Sequence, residues 1–246
     1  MKDFEGKKIL IAEDDDDLRE VIATELQYLG AEVRTAASGE EALGILFGFS
    51  ADLVISDIRM PNGNGIHLIQ RVKEHNIEIP VVVFMTGYSD LDLPQAFDLG
   101  AERILSKPFD LDEFIAAISK ILLPKAVRWA SSEPCEKSIR TLERKFSSLS
   151  EAIASGLIRL GQGGLSFPGH LIEDVKSGDV VSFRLLFESG EVSEFSGCGK
   201  ITYVLNDGGK VKAYALEFEH LRSEVVQFIA DYICRNRIRS FIPKLD

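Results

Sequence analysis

Five short apolar runs, near residues 7–12, 32–36, 52–56, 80–85 and 102–106, alternate with five stretches of helical spacing. These fall near 17–29, 39–49, 64–75, 91–99 and 110–122. Few folds accept that order. KKILIA is apolar on both sides of a strand, as in a buried parallel sheet. In DLREVIATELQYL, Leu18, Val21, Ile22, Leu26 and Leu29 recur at helix spacing, and Gly30 closes the helix. Five such βα units specify a doubly wound, five-stranded parallel sheet of flavodoxin-like type, with helices on both faces. Function in such sheets gathers at the carboxyl ends of the strands.

Those ends carry a distinctive set of residues. The first delivers Glu13, Asp14 and Asp15, the third Asp57, the fourth Thr86, and the fifth Lys107 followed by Pro108. Clustered carboxylates repel one another unless a cation joins them. Hard oxygen ligands suit Mg²⁺. A divalent cation, an ammonium and a hydroxyl are also what phosphoryl oxygens require. Asp57 is then the carboxylate that can act as nucleophile and carry the group.

On ILIAEDD, ISDIRMPNGNG, MTG and SKPF, in that order, residues 6–123 resemble the receiver domain of two-component response regulators. The resemblance implies that Asp57 is the phospho-acceptor. It implies that Glu13, Asp14, Asp57 and the Arg59 carbonyl hold Mg²⁺, and that Thr86 and Lys107 contact the phosphoryl oxygens. It also implies a cis Lys107–Pro108 peptide, which aims the lysine inward. Receivers usually place Tyr or Phe three residues before that lysine. Here the residue is Ile104, which cannot make the same inward aromatic swing.

The receiver-like part is bounded at 1–123. A linker is expected over 124–156, opened by Pro124. Ser132 is a candidate N-cap, Pro134 lies in the first turn, and Gly156 is the stop. Between them Cys135, Ile139, Leu142, Phe146, Leu149 and Ile153 are spaced 4, 3, 4, 3, 4, a heptad pattern. Two readings follow: a helix packed on its own domain, or a 134–155 helix that makes a homodimer.

After Gly156 the period changes. Short apolar strands (GLSF, DVVSFRLLFES, EVSEFSGCGKITYVL, KVKAYALEFE) are divided by turn chemistry, and a helix with Leu221, Val225, Ile229 and Ile233 follows. The expectation for 157–246 is a small antiparallel β-barrel with a C-terminal helix. On GLSF, KSGDVVSFRLLF, GKITYVL, YALEFEHL and the closing helix, this half resembles the PilZ domain, which implies cyclic di-GMP as ligand. Arg140 and Arg144 fit the RxxxR signature of nucleotide-binding members, and guanidinium pairs suit phosphates. The second signature is an Asp/Asn-x-Ser-x-x-Gly loop. It aligns with RLGQGG, where Arg159 stands at the acidic position, Gly161 at the serine, and only Gly164 is kept. The candidate ligand residues are therefore Arg140, Arg144, Arg159 and Gly164. With the loop signature lost, a protein partner is the competing output.

Charge divides the chain in the same place. Residues 1–123 hold 11 Lys and Arg against 23 Asp and Glu, a net of −12, whereas 124–246 hold 17 against 16, a net of +1. Neither half is basic enough for sequence-blind nucleic-acid binding, and no helix-turn-helix pattern supports the alternative of a DNA-binding transcriptional regulator. The second half carries no convincing acid–base or nucleophile set, so the chain is not expected to be an enzyme. No apolar stretch reaches membrane-spanning length. Cys135, Cys198 and Cys234 show no disulfide framework, so reduced thiols and a cytoplasmic setting are expected. The partners expected are a histidine kinase or phosphotransfer protein on the receiver side, and cyclic di-GMP or a protein target on the other.

Overall fold

The computed structural model describes residues 4–87, 93–129 and 138–245. The chain divides into two compact units, Met1–Leu123 and Pro124–Asp246.

The first unit runs β1 (Lys8–Ala12), α1 (Asp16–Tyr28), β2 (Glu32–Ala36), α2 (Gly39–Leu46), β3 (Leu53–Asp57), α3 (Gly65–His75), β4 (Val81–Thr86), α4 (Leu93–Leu99), β5 (Arg103–Ser106) and α5 (Leu111–Ile121). All five strands are parallel, in the order β2-β1-β3-β4-β5. Alternate side chains feed opposite cores. Ile9, Ile11, Leu53, Ile55, Val83 and Met85 pack with Ile22 and Leu26 of α1 and Phe114 and Ile118 of α5. Leu10, Val54, Val82 and Phe84 pack with Ala42, Leu68, Ile69 and Ala96 on the other face. Each fully buried Leu, Ile or Phe stabilises by about 1.5–3 kcal/mol. The helix starts are capped by Asp15, Ser38, Asn64 and Asp110, whose side chains accept from amides of the first turn.

The second unit runs α6 (Lys125–Arg128), β6 (Arg140–Phe146), α7 (Leu149–Ala154), β7 (Arg159–Leu160), β8 (Gly164–Pro168), a 3₁₀ turn at Gly169–Leu171, β9 (Val180–Phe187), β10 (Glu194–Asp207), β11 (Lys210–Leu221) and α8 (Ser223–Asn236). Its six strands follow the order β6-β9-β10-β11-β8-β7. An aromatic cluster of Phe183, Phe195 and Phe218 fills the core, and Trp129 meets Phe218 edge-on at 5.6 Å. No described helix is long and apolar enough to cross a membrane.

Three expectations are corrected. The antiparallel barrel is a curled mixed sheet, a half-barrel, because β6 pairs parallel with β9. Its edge is drawn over by side chains: the Arg144 guanidinium donates to the Leu171 carbonyl at 2.9 Å, and Arg140 stands 3.8 Å from Asp174. Secondly, the 134–155 heptad helix does not form as read. Residues 140–146 are a strand, helix begins only at Leu149 behind the Ser148 cap, and Ser132, Pro134 and Cys135 lie outside the described residues. The continuous helix read for a homodimer is therefore absent over 138–154. Thirdly, the expectation of reduced thiols fails at Cys198, which is disulfide-bonded, while Cys234 is exposed and in no disulfide.

Candidate functional site

In the first sheet the chain leaves β1 and β3 towards opposite faces, so their carboxyl ends open a crevice. Glu13, directly after β1, is fully buried, and Asp14 beside it is exposed. Asp57 ends β3 and is buried. Ligand oxygens of Glu13, Asp14 and Asp57 lie within 4.8 Å of one another, so the three carboxylates can hold a metal ion. Hard oxygen donors with one exposed member fit a small, hydrated divalent cation.

Lys107 reaches this cluster from the end of β5. Its Nζ donates to Asp57 Oδ2 at 2.5 Å and to Glu13 Oε1 and Oε2 at 2.9 and 2.7 Å. The backbone delivers it there: the Lys107 amide donates to the Thr86 carbonyl at 2.7 Å, and the Lys107–Pro108 peptide is cis. Burial pushes the Glu13 carboxyl above its ordinary value, and repulsion from Asp57 adds to this against the pull of Lys107. Burial opposes the charge on Lys107, but hydrogen bonds to Asp57 and Glu13 outweigh it and raise its pKa.

The turn after β3 is built around Asp57. Arg59 N–H donates to Asp57 Oδ1 at 3.1 Å, and the buried Ser56 hydroxyl donates to the Asp57 carbonyl at 2.7 Å. A Cβ at Gly65 would lie 2.3 Å from that carbonyl, which is why the PNGNG turn needs glycine here. Thr86 is buried at the end of β4, one strand from Asp57, and its hydroxyl donates to the Gly87 carbonyl at 2.8 Å. The five receiver side chains named in the sequence thus split. Glu13, Asp14, Asp57 and Lys107 converge directly, while Thr86 flanks them. Ile104 on β5 is half-buried against the core on the α2–α4 face.

Residues 9–119 match the family model for the response regulator receiver domain. The first unit is a receiver domain. "Regulator of RpoS" from Escherichia coli K12 is 37% identical over 120 residues, 48% of this chain and 36% of that protein. "DNA-binding transcriptional regulator NtrC" from Klebsiella pneumoniae is 37% identical over 113 residues, 46% of this chain and 24% of that protein. The chain therefore spans well under half the length of either relative. Among solved structures, a putative response regulator from Chloroflexus aurantiacus is 34% identical, covering 48% of this chain and 98% of that one, with a TM-score of 0.44. The receiver accounts for the Glu13, Asp14, Asp57 and Lys107 constellation as one site.

The other candidate residues are distributed over the second sheet. Arg140 and Arg144 share a side of edge strand β6, each donating back to the carbonyl of the residue before it. Arg159 and Gly164 lie on β7 and β8 at the opposite end of the strand order. The loop between them, residues 161–163, is closed. Gly161 N–H donates to Gly164 O at 2.8 Å, Gln162 N–H to Ser240 O at 2.9 Å, and Gly163 N–H to Phe241 O at 2.8 Å. A Cβ at Gly163 would sit 1.9 Å from the Phe241 ring, and one at Gly164 2.1 Å from the Leu216 carbonyl. These glycines admit close packing of backbone and ring.

Sequence reasoning missed Gln162. It is buried, its Oε1 accepts from Lys125 Nζ at 3.0 Å, and its Nε2 donates to the carbonyls of Ile238 and Arg239 at 3.1 and 3.2 Å. A lone amide inside a glycine run carries no periodic signal.

Proposed function

We propose that this chain is a two-component response regulator that takes a phosphoryl group on Asp57 from a histidine kinase, a phosphotransfer protein or a small acyl phosphate. The carrying observation is the Lys107 ammonium held between Asp57 and Glu13 at the strand ends of a receiver domain. In the transfer, one Asp57 carboxylate oxygen attacks phosphorus, the bond from phosphorus to the donor atom breaks with its electron pair leaving on the donor, and an aspartyl phosphate forms. Lys107 sets a fixed positive charge beside the oxygen that forms the bond. Thr86 stands one strand away with a hydroxyl that can turn from Gly87 to a phosphoryl oxygen. When Mg²⁺ is bound by Glu13, Asp14 and Asp57, with the Arg59 carbonyl as a further ligand, it supplies the charge that neutralises phosphoryl oxygens.

We read the second unit as a PilZ-like, non-enzymatic output module acting in the cytoplasm. Its bonded loop favours a protein partner over cyclic di-GMP, since the amides of residues 161–163 are all engaged. Arg140 and Arg144, half-turned onto carbonyls at the curled edge, are the groups left to hold a phosphate. The DNA-binding alternative has less support, because the second unit is strand-rich and presents no recognition-helix pair among its described residues.

Acetyl phosphate labelling in Mg²⁺ tests the first part: wild type should take up phosphate, and Asp57→Ala should not. Equal labelling of both would overturn it. Calorimetric titration of cyclic di-GMP, with and without beryllofluoride and Mg²⁺, separates the outputs. A flat trace in both states supports the protein-partner reading, and a micromolar signal lost in Arg144→Ala would replace it with the nucleotide.

A further inference from the structure

Strand β2 is an edge of the receiver sheet, and its outer side carries no strand. Glu32 N–H donates to Lys7 O, and Ala36 O accepts from Glu13 N–H. The even-numbered residues of β2 therefore turn their backbone groups to β1. By the alternation of a strand, Val33 and Thr35 present theirs to the open edge. Glu32, Arg34 and Thr35 are exposed. Natural proteins blunt such an edge or use it.

Three features beside this edge belong together. A cavity of about 470 Å³ lies between β2 and the end of α2, lined by Val33, Arg34, Thr35, Ile45, Gly48 and Phe49. Phe47, just after α2, is 95% exposed, the most exposed large apolar side chain of the described residues. Arg34 lies over the Phe49 ring at 5.9 Å and has no carboxylate partner among the described residues, while Glu32 has only Lys8, at 4.0 Å.

We propose that β2 pairs antiparallel with β2 of a second copy of this chain, about a two-fold axis through Val33. The strand is self-complementary in that register. Val33 faces Val33 of the other copy as a hydrogen-bonded pair, using the outward backbone groups. Glu32 then faces Arg34 and Arg34 faces Glu32, as two non-hydrogen-bonded pairs, where side chains approach most closely. The axis keeps both α2 ends on the same face of the joined sheet. The outward backbone groups and two ion pairs make a self-complementary, isologous contact. Moving the axis by one residue, a two-residue shift in register, would oppose Arg34 to Arg34, which like charge disfavours.

The test is sedimentation equilibrium of the full chain at low salt. Wild type should associate reversibly to a dimer, and a strict monomer into the high micromolar range would overturn the proposal. Glu32→Arg and Arg34→Glu each place four like charges across the axis, so each variant alone should associate at least roughly tenfold more weakly. Mixed in equal amounts they restore both opposite-charge pairs and should form a heterodimer as tight as wild type. A fold defect could not be rescued this way. A mixture that stays monomeric, or variants that dimerise as well as wild type, would overturn the register.

Discussion

The Lys107 ammonium stands 2.5 Å from Asp57 Oδ2, and the same nitrogen is shared with Glu13 across the head of the sheet. A chain segment that ends β5 thus neutralises the ends of β1 and β3. Its removal leaves two carboxylates of like charge in a largely buried place. Lys107→Ala should lower unfolding stability by roughly 1–3 kcal/mol. Millimolar Mg²⁺ should raise the melting midpoint of this variant more than that of wild type, because a bound cation replaces the lost charge. Calorimetric melting with and without Mg²⁺ measures both; equal Mg²⁺ effects would refute the shared-cation account.

The Gly163–Phe241 contact makes a packing prediction. Gly163→Ala should destabilise the second unit by about 1–3 kcal/mol, since the new methyl meets the ring. Combined with Phe241→Ala the two losses should add to less than their sum, as the clash disappears with the ring. Strict additivity in urea titrations would show that the contact is not the cause.

Glu191 and Arg235 form a two-pronged surface pair, 2.6 Å at each oxygen. Hydrogen bonding from Arg235 holds the Glu191 carboxyl below its ordinary value of 4.5. A depressed carboxyl contributes stability above its unfolded value, and that contribution is lost as pH falls through the folded value. The melting difference between wild type and Glu191→Gln should therefore be constant near neutrality and be lost in acid as pH falls below the ordinary value of 4.5 and through the depressed folded value. It should also shrink with added salt. A difference that grows on acidification would reverse the assignment.

Cys198 offers a chemical check. In protein isolated without reductant, its peptide should be recovered disulfide-linked, while Cys234 should take iodoacetamide directly. Reduction should lower the melting midpoint, a native disulfide typically being worth about 2–5 kcal/mol. Alkylation of Cys198 without reductant would contradict the structure.

The receiver was legible because its signals are local. Apolar runs ending in Glu13, Asp57, Thr86 and Lys107 place chemistry at strand ends whatever the details of packing. The segment around β6 was not. Leu142 and Phe146 are four apart, a spacing that serves one side of a helix and also one side of a strand. Arg140 to Phe146 favours helix by intrinsic propensity, yet pairing with β9 across forty residues decides otherwise. The strands and closing helix of the second unit were readable from turn residues and period. Its parallel β6 was not, since no local pattern encodes which distant strand a segment joins. The glycine loop stands out in the sequence as a degraded PilZ signature, but its partner, the 238–243 segment, carries no recognisable motif.

Gln162 has a consequence for synthesis. Its amide oxygen binds Lys125, near the start of the second unit, and its amide nitrogen binds the carbonyls of residues 238 and 239. Phe241 and Ile242 complete the burial of the same loop. Translation delivers these partners more than a hundred residues apart. The receiver can close while the ribosome is still working, but the second unit cannot knit its glycine turn until residues 238–242 have left the exit tunnel. Newly made chains therefore pass through a stage in which the receiver is finished and the second unit is not.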